Sequence, residues 1–297
     1  MRHSNPVQLL LQALCRDPAD RLAWLALADA QEEMGQVHSA ELTRLREQLR
    51  LLEPEDPRRA AWQQQMQQLL AQGVVPVMPT WTRYLPNGAP MVFHLIPPGT
   101  FQMGCPPDEP HRQAADPPLC SVYLDHPFWI SRTLLTQAQV GTGSSSHPAL
   151  LPYNLPLLQR LQLYWKTPVR WPTEIEWEYA CRAATTSRYH GGGIECVPLV
   201  AWCAYGQHSG VRSRTKPVAH LVPNAWGLYD MHGNVWEWLL ESPRLGDYLT
   251  AGGCFRAIPQ RCTASARMLR NDGRETDIIG GRLVLEWNPE QMPRLSR

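Results

Sequence analysis

The sequence predicts an α+β chain: a small helical unit over residues 1–74, then a larger domain of short strands joined by irregular connections. Three observations carry this. Up to Gly73 the apolar residues recur at spacings of three and four, which sets them along one face of each helix. The 297 residues include 28 prolines, well above the ~5% of ordinary usage, so regular α/β repeats are not expected. The third is the stretch from Pro223 to Trp238, which packs Trp226, Tyr229, Trp236 and Trp238 around two glycines, two asparagines, Asp230 and Glu237. Large aromatics bury wide areas and need partners for N–H or O–H. The stretch therefore reads as irregular backbone folded into a core, its polar atoms satisfied by hydrogen bonds or by a cation.

Composition narrows the function. Hydrophobic residues at 43% support a sizeable core, and a net charge of +1 gives no electrostatic case for nucleic acid or a membrane surface. No apolar run approaches the ~20 residues of a membrane span, and the N-terminal run is interrupted by glutamine, unlike a secretory signal. The expectation is a soluble, cytoplasmic protein. None of the eight cysteines forms a CxxC pair, which argues against structural zinc and, in a reducing compartment, for buried free thiols.

Taken in order, Asp17-Pro18 reads as a helix start. Trp24, Leu27, Ala28 and Met34 form its apolar face, and Gly35 its stop. Leu42, Leu45, Leu49 and Leu52 mark a second amphipathic helix. Asp56-Pro57 opens another, with Trp62, Met66, Leu69 and Leu70 inward and Gly73 at its end. Residues 75–90 read as a Pro-rich linker, and residues 288–297 as a tail. Met91–Ile96 and Phe101–Gly104 read as strands flanking a Pro-Pro-Gly turn. Thr136 is placed to cap a helix, a weaker helical pattern covers 155–165, and Thr173 with Glu176 forms a capping box. In that last helix Trp177, Ala180 and Cys181 face inward, making Cys181 a packed small hydrophobe. Gly191–Gly193 lacks a phosphate-loop lysine and reads as a turn.

The segments "MVFHLIPPGTFQMG", "HPFWISRTLLTQAQV", "PVRWPTEIEWEYACRAA", "NAWGLYDMHGNVWEW" and the closing "GGRLVLE" resemble the formylglycine-generating-enzyme (sulfatase-modifying-factor) family, a branch of the C-type-lectin fold. The resemblance covers roughly residues 91–287 and implies a C-type-lectin-like domain there, with two paired strands near its end. "DPADRLAWLALADAQEEMGQ" resembles a short helical domain of bacterial multi-domain proteins, which implies a non-catalytic adaptor that contacts another protein.

Enzymes of this family oxidise a substrate cysteine to formylglycine with copper and oxygen. Their pattern is Gly-Gly-Ser, two residues, Cys, four residues, Cys, since Cu(I) is held by paired soft ligands. Here Gly252 and Gly253 stand, but Cys254 replaces the serine and Ala257 the first cysteine; only Cys262 remains. Copper is therefore not expected, and no residue is assigned to catalysis unless Cys262 serves a divergent oxidase. An iron-dependent, sulfoxide-forming branch is also disfavoured, because the helical unit carries only His3 and His38.

The resemblance further implies a structural Ca²⁺ held by side chains of Asp230 and Glu237 and carbonyls of Gly233 and Val235. The plainer alternative has Glu237 bonding N–H groups without an ion. By position in the fold, Cys254, Phe255, Arg256, Gln260, Arg261, Arg267, Arg270, Asn271, Asp272, Arg274 and Asp277 are expected to line a ligand-facing surface. Arginine with aromatics suits interface hot spots. The expectation is a non-catalytic recognition protein that binds a protein or small ligand there. Two settings known for such domains fit: the variable protein of a diversity-generating retroelement, and a bacterial conflict system. The rival is a divergent copper oxidase.

Overall fold

A computed structural model describes residues 5–107, 109, 111–143, 146–204, 214–241, 247–272 and 277–291. Four helices come first: α1 (Pro6–Arg16), α2 (Arg21–Glu33), α3 (Val37–Leu51) and α4 (Arg59–Ala71). Asn5 caps α1 by accepting the Val7 N–H at 3.0 Å, and Asp20 caps α2 by accepting from Ala23 N at 3.0 Å. The expected start at Asp17-Pro18 is corrected: Asp17 closes α1, while the Pro18 carbonyl accepts the Trp24 indole N–H at 3.0 Å. Gly35 and Gly73 follow helix ends with φ of 77° and 87°.

The rest of the chain carries β1 (Thr80–Tyr84), β2 (Pro90–Ile96), β3 (Gly99–Met103), β4 (Cys120–Leu124), β5 (Phe128–Ser131), α5 (Gln137–Val140), α6 (Pro156–Trp165), β6 (Val169–Arg170) and α7 (Glu174–Arg182). Then come α8 (Val197–Val200), β7 (Ala201–Trp202), β8 (His232–Gly233), β9 (Trp236–Trp238), β10 (Tyr248–Ala251), β11 (Arg267–Arg270), β12 (Ile279–Gly280) and β13 (Val284–Glu286). The capping boxes at Thr136 and Thr173 both form. A five-stranded sheet runs β1-β2-β5-β13-β6 and a four-stranded one β11-β10-β9-β12, with pairs β3-β4 and β7-β8.

Three expectations change. The 75–90 segment is not only a linker, because β1 lies within it and pairs antiparallel with β2. Strands β2 and β3 are adjacent in sequence but join different sheets, so Pro97-Pro98-Gly99 is a crossing rather than a hairpin turn. The closing strands do not pair with each other: β10 lies between β9 and β11, and β13 lies between β5 and β6.

One apolar cluster runs from Leu14, Trp24, Leu27 and Leu49 of the helices to Trp177, Trp226 and Leu228 of the larger domain. Arg46 is fully buried in this seam, its guanidinium carbon 4.5 Å from the Trp24 ring centroid and 5.3 Å from that of Trp226. Cation–π contacts gain strength when desolvated. Arg50 donates to the Pro98 carbonyl at 2.5 Å and Arg59 to that of Ala184 at 3.0 Å. The Trp287 indole reaches back to the Cys15 carbonyl at 2.9 Å. Helices tied in this way share their core with the strands. Denaturant unfolding followed by tryptophan fluorescence and by far-UV dichroism is expected to give one coincident transition. An early, separate helical transition would show an independent adaptor. Arg46→Ala is expected to cost about 2–4 kcal/mol in the same measurement.

Candidate functional site

The aromatic stretch forms the centre of the larger domain. Glu237 on β9 is 1% exposed and Arg282, just before β13, is 0% exposed. They meet as a bidentate pair, Nε to Oε2 at 2.7 Å and Nη2 to Oε1 at 2.9 Å. The Trp177 indole also donates to Oε2, at 2.9 Å. The other guanidinium hydrogens reach the carbonyls of Ser131 at 3.1 Å and Tyr229 at 2.9 Å. A buried charge pair holds only when its remaining hydrogen-bonding groups are satisfied, and here they are.

This geometry bears directly on the calcium set. Both Glu237 oxygens already face a guanidinium, so the charge a cation would neutralise has a partner. Asp230 is buried and accepts the Ala219 N–H at 2.8 Å and, more loosely, the Asn234 amide at 3.4 Å. Burial lifts its carboxyl to about 6. Gly233 has φ 79° and lies so close to the Trp202 carbonyl that a Cβ would collide with it. Its own N–H is given to the Gly252 carbonyl at 2.7 Å, and Val235 is fully buried. Of the four residues expected to hold calcium, Glu237 is thus already paired with a guanidinium, while Asp230 has only N–H donors. No cluster of three or more His, Cys, Asp or Glu suited to a metal occurs among the described residues.

The thiol region lies beside this centre. At Gly253, φ is 81° and a Cβ would meet the Cys262 sulfur at 2.5 Å, so only glycine lets this backbone pass. Cys254 is 3% exposed and Cys262 is 0% exposed, and the Cys262 thiol donates to the Cys254 carbonyl at 3.7 Å. Burial raises the Cys262 thiol well above its ordinary range. Ala257, at the position of the missing cysteine, is half-buried and accepts the Ala204 N–H at 2.8 Å. Beside Cys262 sits Cys203, whose pKa is lowered by its hydrogen bond with the Cys262 side chain. Nothing in the spacing pointed to that neighbour. Cys181 is buried as expected, its sulfur 3.8 Å from His232 Nε2.

The expected ligand-facing residues divide. Arg267 is corrected to a core residue: it is 0% exposed, paired with Glu178 at 2.5 Å and Glu174 at 2.9 Å, with Trp177 beneath it. Arg261 is engaged by Asp116 at 2.7 Å, and the Arg267 N–H also bonds Asp116, at 2.7 Å. Cys254 and Phe255 are buried and so do not line a surface. Arg256 and Asp277 are exposed and paired with each other, while Arg270 pairs with Asp272 at 2.8 Å. Gln260 is half-buried and Asn271 exposed. Arg274 lies outside the described residues. Sequence reasoning passed over Glu178 and Arg182, which pair at 2.7 Å one helical turn apart on α7. Their i,i+4 spacing was the available signal. It also passed over His190 and His232, whose rings stack at 5.1 Å.

Residues 146–287 match the family model described as a sulfatase-modifying factor enzyme 1-like domain. The second half of the larger domain is thus similar to this type of domain. Over 77 residues the chain is 43% identical to the formylglycine-generating enzyme of Mycobacterium tuberculosis, covering 23% of this chain and 26% of that one. A further match, to the Streptomyces coelicolor enzyme, is 38% identical over 78 residues, covering 23% and 25%. The chain thus spans about a quarter of the length of the curated relatives it matches. Among solved structures, PvdO from Pseudomonas aeruginosa superposes with a TM-score of 0.59 at 24% identity, over 69% of this chain and 98% of PvdO. Treponema denticola variable protein 1 superposes at 0.60 with 18% identity, over 70% and 99%. These likenesses give a formylglycine-enzyme-like, C-type-lectin-like fold. No helix among the described residues is long and apolar enough to cross a membrane.

Two outcomes follow from the site. Glu237→Gln leaves Arg282 buried without its counter-charge and is expected to cost about 3–5 kcal/mol in denaturant unfolding. Chelator is expected to leave the wild-type thermal midpoint unchanged; a fall on chelation would restore the ion. The second outcome concerns acid. Burial lowers His94 and His190 to about 4, and His232 further. The unfolded chain takes these protons first, so stability present above pH ~6.5 is lost as pH falls toward ~4. Asp230, raised to about 6, opposes this by binding its proton more tightly in the folded state. Three histidines outweigh one carboxyl, and denaturation midpoints measured from pH 7 to 4 should decline.

Proposed function

We propose that this chain is a non-catalytic recognition protein built on a sulfatase-modifying-factor-type scaffold. The observation that carries the reading is the state of the thiol site: alanine at 257, and at 262 a fully buried cysteine whose thiol is kept protonated by burial. A sulfur that attacks an external substrate or takes up copper from solution needs thiolate character and access, and Cys262 is sealed and held as the thiol. What the segment offers outward is Arg256 paired with Asp277, the exposed apolar side chain of Ile258, and Asn271 with Asp272 at the end of β11. An apolar side chain flanked by charges on a rigid scaffold suits a protein partner. On the helical unit, Leu22, at 77% exposed, and Val37, at 53%, supply a second contact. Similarity to Treponema denticola variable protein 1 supports the setting of a retroelement variable protein; a bacterial conflict system is the other setting, suggested by the helical unit.

The rival is a divergent copper-dependent oxidase acting on a substrate cysteine. One observation favours it, the contact of Cys203 with Cys262, which brings two sulfurs together although the family's first cysteine is gone. The two readings separate in one assay. The reduced chain, given Cu(I), oxygen and a cysteine-containing peptide, is expected to form no aldehyde. Aldehyde that disappears in Cys262→Ala would establish the oxidase. For recognition, Arg256→Asp with Ile258→Asp is expected to abolish co-purification of the native partner while leaving the thermal midpoint in place. Unchanged co-purification would move the binding face elsewhere.

A further inference from the structure

Eight cysteines are free thiols, seven of them buried, and two of the buried ones touch. Cys203 follows β7, and Cys262 lies before β11. Both belong to one small cluster with Tyr189, Cys196, Val197, Val200 and Ala201, and their side chains hydrogen-bond each other. The segments that carry them are fixed from both sides. Ala204 donates its N–H to the Ala257 carbonyl at 2.8 Å, and Asn234 donates to the Trp202 carbonyl at 2.7 Å. On the other side, Cys262 N–H bonds the Pro259 carbonyl at 2.8 Å, while its own carbonyl accepts from His232 Nδ1 at 2.8 Å. Two sulfurs held in contact by anchored backbone form a bond with little loss of chain freedom.

We propose that Cys203 and Cys262 form a reversible redox pair, closing to a disulfide in the folded protein. The pair is distinct from the two-cysteine pattern of the related enzymes, since Cys203 lies far from it in sequence. Access sets the order of events. Cys203 is itself buried but keeps 9% exposure at a strand end, whereas Cys262 has none. The Cys203 thiolate attacks a sulfur of a low-molecular-weight disulfide and displaces one thiolate, leaving a mixed disulfide on Cys203. Cys262 then gives its proton to the departing thiolate and attacks the Cys203 sulfur, releasing the second thiol. The small disulfide gains two electrons and the protein loses two hydrogens. Closing the bond staples the end of β7 to the segment that runs from Cys254 to Cys262. The inference rests on the sulfur contact and not on the recognition reading.

The test uses the full chain, folded in buffer, with oxidised glutathione. Free thiols are blocked before digestion, and the peptides are separated without reductant. The expected result is a linked peptide joining Cys203 to Cys262 and an intact mass lower by two hydrogens, both reversed by dithiothreitol. Cys203→Ser should abolish the linkage with no new bond taking its place, and it avoids placing a hydroxyl in the fully buried Cys262 site. A link between Cys254 and Cys262, a link between Cys196 and Cys203, or bonding that appears only in denaturant would overturn the proposal. So would full recovery of blocked, unlinked Cys203 and Cys262 after exposure to the oxidant.

Discussion

The bidentate pair between Glu237 and Arg282 is the constraint on which the larger domain depends. It connects β9 of one sheet to the run-in of β13 in the other. Through the remaining guanidinium hydrogens it reaches the end of β5 and the Tyr229 loop, and through Trp177 it reaches α7. Neither ion could stand alone at 0–1% exposure, because desolvating a charge costs several kcal/mol unless it is paired and hydrogen-bonded. The pair therefore specifies a single arrangement of two sheets and a helix. At Glu237 a guanidinium already supplies the positive charge that a calcium ion would bring.

A second charged system repeats the device nearer the proposed face. Glu178 on α7 receives Arg182 and Arg267, and Asp116 receives Arg261 along with the Arg267 N–H. These contacts turn basic residues inward and leave a narrow outward set at Arg256, Asn271 and Asp277. A binding surface on such a segment is pre-organised, because side chains below it are already held by charge-assisted bonds. Rigid support lowers the ordering cost of association.

What was legible in the sequence was local. Capping boxes at Thr136 and Thr173 depend on residues three apart, and both formed. The helix faces followed from apolar spacing, and the buried aromatic stretch from its glycine and tryptophan content. What was illegible was non-local. Asp17-Pro18 looked like a start, but Asp20 takes that role, a choice between two equally suitable caps three residues apart. The linker's strand was hidden because β1 has a partner only once β2 is placed. Arg267 read as a surface residue because its carboxylate partners lie on α7, far away in sequence. Cys203 carried no motif at all; only the fold sets it against Cys262.

The glycine pair beside the thiols sits in the same kind of close-packed backbone. Gly252 and Gly253 keep left-handed φ values of 90° and 81°, and the second still lets the backbone pass against the Cys262 sulfur. Ala257, where the resembled pattern places a cysteine, packs at the edge of the cluster containing Cys203 and Cys262. A fold can hold such glycines for packing reasons alone. The glycine pair therefore says nothing for or against catalysis. The proposed reading rests instead on side chains: Ala257 at the edge of the thiol cluster, a sealed Cys262, and exposed charge beside Ile258.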